Sequence, residues 1–208
     1  YAFPSAIPQD KTAYNVVDDS NEVLTDLGLI KALSVDDIRR AKSEGNLAVM
    51  YNTQGSDYVT EDLAHHAHAS YERGIRAMNF VYNNNNKLAG GGSKQDMGLT
   101  ALGRQWVRQA QDAGILLDVS HSSNQTAIDA AKIATKPIIA SHSNARALHD
   151  VSRNISDDAI RAVASTGGLV CPTGVGLFLN PERDATPRRY VEHLTYIADL
   201  IGKDKVCF

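Results

Sequence analysis

The chain has 208 residues, 43% hydrophobic and 22% charged, with a formal net charge of −3. That is an ordinary globular composition with enough apolar mass for a core, and it lacks the basic face or stripe of a nucleic-acid-binding protein. Its longest apolar runs are strand-sized, far short of the ~20 residues that span a bilayer, so no transmembrane segment is expected.

Residues 1–30 carry little periodicity. Ser34 is a good N-cap for the helix in "SVDDIRRAKSEG", Asp36 and Asp37 suit its first turn, and Gly45 stops it. "NLAVMYNT" (46–53) reads as a strand. The next helix is expected from Thr60 to its stop at Gly74. "IRAMNFVY" (75–82) is a strand, and "NNNNKLAGGGS" (83–93) is a polar, Gly-rich loop. Thr100 and Gly114 bound another helix, and "ILLDVS" (115–120) follows as a strand. An amphipathic helix at 123–134 places Ala127, Ile128, Ala131 and Ala134 at three- and four-residue spacing. "KPIIAS" (136–141) and "GLVCPT" (168–173) are strands, with a helix capped by Ser156 between them. The last helix has Thr186 as cap and Pro187 in its first turn, and "KVCF" opens one more strand.

The order is β-α repeated, with continuous Val/Ile/Leu runs that suit strands of a parallel sheet buried on both faces. The candidates are an open doubly wound sheet and a closed eight-stranded barrel. No Gly-rich phosphate or dinucleotide loop follows an early strand. Polar residues recur after nearly every strand, at Gln54, Tyr82, His121, His142 and Thr173. Many strand ends feeding one site is the habit of the barrel. The expectation is therefore an α/β fold, a (β/α)8 TIM-type barrel of which about six βα units lie in this chain.

The cysteines, Cys171 and Cys207, each lie in an apolar run. This predicts two buried small hydrophobes and no disulfide framework. The scarcity of cysteine favours a reducing, cytoplasmic setting over a periplasmic or secreted one. The chain opens on Tyr1 without a visible signal peptide and stops at "DKVCF", early in a strand. A single domain over 1–208, cut at both ends, is the expectation.

Two strands end on Ser-His, in "LLDVSH" and "IIASH". Imidazoles at the carboxyl ends of neighbouring parallel strands can converge at strand spacing, ~5 Å. Neutral imidazole is the commonest metal ligand, and two histidines at equivalent positions favour a metal over a pair of hydrogen-bonded loop residues. Asp118 is either a partner that orients an imidazole or a satisfied interior carboxylate. Arg153 lies in a loop where it could clamp a carboxylate bidentately, though spacing alone favours a solvated arginine. His65, His66 and His68 read as solvated, His149 has no metal-like partner in the sequence, and His193 reads as a helix histidine packed on the barrel. Ser120 and Ser141 each precede a histidine, but strand neighbours point to opposite faces and no G-x-S-x-G elbow is present, which argues against a serine nucleophile.

"GLTALGRQWVRQAQDAGILLDVSHSS", "KPIIASHSNARALHDVSRNISDDAIRAV" and "GGLV" resemble the membrane (renal-type) dipeptidase family of zinc peptidases. The likeness runs from Ala48 to Phe208 and is densest over 98–170. It implies an amidohydrolase-type (β/α)8 barrel that holds zinc, one or two ions, at its strand ends and hydrolyses dipeptides, in some members those with a D-residue at the C-terminal side. By this resemblance His121 and His142 are zinc ligands, Arg153 binds the substrate carboxylate, and Asn154 follows it in the substrate site. The family's His-x-Asp and Gly-x-Asp-Phe-Asp-Gly segments would lie outside this chain, before Tyr1 and after "KVCF". Gln54 stands where the family has a metal-bridging glutamate, and a neutral amide bridges two dications less favourably than a carboxylate. Tyr82 stands where the family has a substrate-side histidine, and it keeps a hydrogen-bond donor for an oxyanion.

The resemblance thus implies a metal-dependent, dipeptidase-like hydrolase with a small dipeptide-like substrate, and homodimers are common in the family. Two alternatives stand beside it. One is a divergent member with other chemistry on a peptide-like metabolite. The other is a binding homologue without catalysis.

Overall fold

In the computed structural model the described residues are 2–3, 13–93 and 96–208. In chain order the elements are β1 (Ala2–Phe3), α1 (Ala13–Asp26), β2 (Ile30–Lys31), α2 (Val35–Ser43), β3 (Ala48–Val49), β4 (Tyr51–Thr53) and α3 (Leu63–Glu72). Then come β5 (Ile75–Asn79), α4 (Ala101–Ala113), β6 (Leu116–Asp118), α5 (Asn124–Ile133), α6 (Asp157–Ser165), α7 (Gly176–Leu179), α8 (Pro187–Ile201) and a 3-10 turn at Lys203–Lys205.

Strands β1, β4, β5 and β6 form a parallel sheet in that order. Single parallel bridges carry the array onward, from Asp118 to Ile139, from Ala140 to Val170 and from Val170 to Val206. The three runs expected as strands at 136–141, 168–173 and 205–208 thus take their places in sequence order, but as bridges without a continuous ladder. Pro137 and Pro172 explain part of this, because proline has no N–H to donate to a ladder. The N–H of Ile138 is taken instead by Thr166 Oγ1 at 3.1 Å. At Gly168 a Cβ would lie 1.7 Å from the Ile138 carbonyl oxygen, so only glycine lets these two segments approach this closely.

Three further expectations are corrected. Residues Ala13–Asp26 form α1, although no periodicity marked them; the rest of that N-terminal stretch at 4–12 lies outside the described residues. The run 46–53 is two short strands: β3 pairs with β2, and β4 with β1 and β5. The first cap of α3 is Asp62, whose carboxylate accepts from the His65 N–H, and Thr60 lies outside the helix.

The other helix starts follow local chemistry. Ser34 forms a full capping box with Asp37, and Thr100, Ser123, Ser156 and Thr186 each accept a backbone N–H in the first turn of their helices. Gly114 closes α4 in the left-handed conformation, at φ 95°. Helix α3 packs on α4 and α5 on α6. Their inner faces bury Trp106, Val107, Ala110, Ala127, Ile160 and Val163 against Ile75, Met78, Leu117, Ile138 and Val170 of the strand array.

Cys171 and Cys207 form a disulfide, with Cα atoms 4.6 Å apart. This overturns the expectation of two separate thiols. The bridge between Val170 and Val206 brings the next residue of each segment side by side, a proximity that spacing along the chain does not reveal. It also removes the cysteine argument for a reducing compartment, since disulfides persist mainly in oxidising ones. Among the described residues no helix is long and apolar enough to cross a membrane.

Candidate metal and substrate site

Each main strand ends on a buried polar residue: Thr53 closes β4, Asn79 closes β5 and Asp118 closes β6. These form a polar layer beneath the carboxyl rim. Asn79 Nδ2 donates to the Ser120 carbonyl at 2.9 Å, and Ser56 Oγ donates to the Asn79 carbonyl at 2.7 Å. Asp118 Oδ1 accepts from the N–H groups of Ser120 (2.9 Å) and Ser141 (3.1 Å), and Oδ2 accepts from the Ser141 hydroxyl. Asp118 therefore ties the end of β6 to the end of the adjacent segment.

Above this layer the two histidines meet. The His121 and His142 rings have centroids 4.8 Å apart at 65°. His121 is buried and its backbone is left-handed, at φ 70°, a conformation that costs about 1 kcal/mol for a residue other than glycine. Its Nδ1 donates to Asn83 Oδ1 at 2.8 Å. Asn83 is itself left-handed, at φ 63°. Tyr82, 38% exposed, lays its ring on His121 with centroids 4.4 Å apart. His142 Nδ1 lies 2.6 Å from Ser141 Oγ, and its backbone N–H donates to Ser120 Oγ at 3.0 Å. Gln54 Nε2 lies 3.5 Å from His142 Nε2.

Arg153 is half-buried, with its guanidinium 5.2 Å from the centre of the Phe178 ring. Its charge is felt across the site. Burial first, then Arg153, then His142, push the His121 imidazole down to about 3. Burial also lowers His142, with Arg153 adding and the Asp118 carboxylate opposing. Arg153 itself is lowered by burial, against the pull of Asp118 and Tyr82. The spacing argument for a solvated arginine is thereby corrected: the fold brings Arg153 to the histidines.

Asn154 is held within the fold. It is buried, and its Nδ2 donates to the carbonyls of His149 (2.7 Å) and Phe178 (2.8 Å). Asn154 braces the loop that carries Arg153. Thr173, another strand-end residue, is tied through its backbone to the Asn144 side chain. His65 and His68 are exposed, and both ring nitrogens of His66 are taken by Tyr14 Oη and Thr60 Oγ1, each at 2.9 Å. His193 is fully packed, accepting the Ala145 N–H and donating Nε2–H to the Leu179 carbonyl.

Sequence reasoning missed Asn83 and the contacts of Ser141 with Asp118 and His142. Asn83 is one of a run of asparagines that nothing local distinguishes. Ser141 and His142 both lie past the strand, in a turn, so the strand alternation that would point Ser141 away from His142 does not apply. The order of contacts still argues against a serine nucleophile. Here the serine lies between carboxylate and imidazole, whereas a nucleophile needs the imidazole in the middle.

A metal of the zinc type suits these donors. His121 Nδ1 donates to Asn83 Oδ1, burial lowers both imidazoles and so favours their neutral form, and the Gln54 side chain is the neighbour of His142 Nε2. Among the described residues no group of three or more His, Cys, Asp or Glu converges to hold a metal, so a metal here would need donors beyond the two imidazoles.

A family profile described as membrane dipeptidase (peptidase family M19) matches residues 12–208. An uncharacterized protein of Klebsiella pneumoniae, from the pqqA 5′ region, is 33% identical over 188 residues, which are 84% of this chain and 68% of that protein. An uncharacterized dipeptidase of Schizosaccharomyces pombe is 32% identical over 136 residues, 64% of this chain and 33% of that protein. The crystal structure of an amidohydrolase from Pseudomonas aeruginosa superimposes with a TM-score of 0.87 at 29% identity, over 92% of this chain and 59% of that one. A metallopeptidase from Rhodobacter sphaeroides, solved with a phosphinate mimic of the dipeptide L-Ala-D-Ala, shares the fold with a TM-score of 0.79 at 23% identity, over 86% of this chain and 54% of that one. The chain thus spans 59% and 54% of the length of these two solved proteins.

Proposed function

The chain belongs to the membrane dipeptidase family, peptidase family M19, and from that membership we propose that it forms the metal-holding and carboxylate-binding part of a dipeptide-hydrolysing site in a (β/α)8 barrel. The observation that carries this reading is the pair of imidazoles 4.8 Å apart, His121 buried and His142 half-buried, each with an oxygen partner at Nδ1, and with Gln54 as the side chain beside His142 Nε2.

His121 and His142 would hold zinc through Nε2, and Gln54 would add a neutral amide oxygen once its side chain is turned about. A dication held there supplies Lewis-acid polarisation of a scissile carbonyl and activation of the attacking water. The chain's own residues do the rest. Arg153 binds the C-terminal carboxylate of a dipeptide or similar small substrate, with Phe178 supporting the guanidinium and Asn154 holding its loop. Tyr82 donates its phenol hydrogen to the substrate carbonyl oxygen as negative charge develops there. Its stacking on His121 keeps that donor beside the metal ligands.

The test is zinc uptake and dipeptide hydrolysis by the full-length protein, with substrates carrying L- or D-residues at the C-terminal side. Zinc-dependent turnover that disappears in His121→Ala is expected. An absence of bound metal together with no turnover in any added dication would refute the hydrolase reading.

A further inference from the structure

We propose that Ser141 is a positioning residue for His142: its hydroxyl links the buried Asp118 carboxylate to Nδ1 of the imidazole and so fixes the tautomer that leaves Nε2 bare. The relevance to catalysis rests on the reading of His142 as a metal ligand; the relay itself does not.

Hydrogen accounting leads to this assignment. An ionised carboxylate only accepts. Asp118 Oδ1 is filled by the N–H groups of Ser120 and Ser141, and Oδ2 is in close contact with Ser141 Oγ. The serine has one hydroxyl hydrogen. If it pointed at His142, the carboxylate oxygen and Ser141 Oγ would face each other closely with no hydrogen between them, which is repulsive. The hydrogen therefore goes to Asp118. Ser141 Oγ then offers only lone pairs to His142 Nδ1, 2.6 Å away. Two acceptors do not approach that closely, so Nδ1 carries the hydrogen. A neutral imidazole has only one, and Nε2 is left unprotonated.

The surroundings hold this relay rigid. The His142 N–H is fixed on Ser120 Oγ at 3.0 Å, and the Ser143 N–H on the Cys171 carbonyl at 2.8 Å. Ser120 Oγ also accepts from Ser143 Oγ at 3.3 Å. These bonds fix the backbone from which the imidazole projects. His121 is braced differently, by the uncharged amide of Asn83. Of the two rings, His142 is thus the one whose tautomer is set by a charge, relayed through a hydroxyl.

The test reads the tautomer directly, by long-range 15N–1H correlation of histidine side chains in the full-length, metal-free protein, with His142 assigned through His142→Gln. A single Nδ1–H form is expected for His142 in the wild type and in Ser141→Thr. In Ser141→Ala, admixture of the Nε2–H form is expected, and zinc affinity by chelator competition should fall about 10- to 100-fold. An Nε2–H form in the wild type overturns the inference without any variant. So does a Ser141→Ala spectrum identical to the wild type. A tautomer that shifts as expected in a protein whose wild type takes up no zinc upholds the relay, and it is the metal reading that then fails.

Discussion

At the scale of single residues, Gln54 carries the most leverage. Its amide sits 3.5 Å from Nε2 of His142, in a site whose neighbouring charge is the cationic Arg153 and whose carboxylate, Asp118, is occupied below. A dication brought there meets two neutral imidazoles and a neutral amide. A carboxylate at this position would add a full opposite charge at contact distance, worth several kcal/mol even at an effective dielectric of about 20. Gln54→Glu is therefore expected to tighten zinc binding by about tenfold or more and to raise dipeptide turnover. Chelator competition and a dipeptidase assay measure the two effects. Unchanged affinity would place Gln54 outside the metal's reach. Tighter zinc without a gain in turnover would favour the divergent member, acting on another peptide-like substrate, over a dipeptidase weakened by this residue.

At the scale of elements, the helices announce themselves because their stop and start signals are local. Ser34, Thr100, Ser123, Ser156 and Thr186 cap from within one turn of the residues they serve. Helix α1 lacked such a signal. The strand segments were visible as apolar runs, but the extent of their pairing was not, because ladders depend on what each neighbour can donate. The disulfide belongs to this scale as well. It closes a loop of 36 residues between the segments bridged at Val170 and Val206. Cys171→Ser is expected to lower the stability of the oxidised protein by about 2–4 kcal/mol. Reductant should have a similar effect on the wild type and none on the variant. Denaturant midpoints with and without reductant decide this, and a wild type indifferent to reductant would show that the bond contributes no stability.

At the scale of the whole molecule, the fold buries neutral imidazoles far apart in the chain. His121 is pushed down to about 3, and His142 and His193 are also lowered, with burial the first cause in all three. Each titrates near 6.5 in the unfolded chain, which therefore binds more protons than the folded protein once the pH falls below that value. Stability rises with pH wherever the unfolded state holds the extra protons. The metal-free protein should thus be insensitive to these groups above pH 6.5. It should lose stability progressively below that point, with the His121 contribution continuing down to about pH 3. Denaturant midpoints between about pH 7 and 5 test this. A flat profile would mean that the imidazoles are charged, or reach water, in the folded state.

The helix caps, the apolar runs, the polar strand ends and the two Ser-His endings are all written locally, and from them the α/β order and the two histidines proposed as metal ligands could be read directly. Their family followed from longer motifs. What the local pattern lacks is the partner of each group. His121 takes its Nδ1 partner from Asn83, 38 residues away, and Asp118 reaches Ser141 across 23 residues. Arg153 reads as a solvated surface residue until the 151–155 loop folds over the rim, and the cysteines read as separate until two bridged segments bring them together. Which hydrogen an imidazole carries, which charge it feels and which thiol it neighbours are properties of distance in space. Chain spacing fixes that distance only within a helix turn or a strand, so the site's chemistry was decided by the packing of segments that the sequence keeps apart.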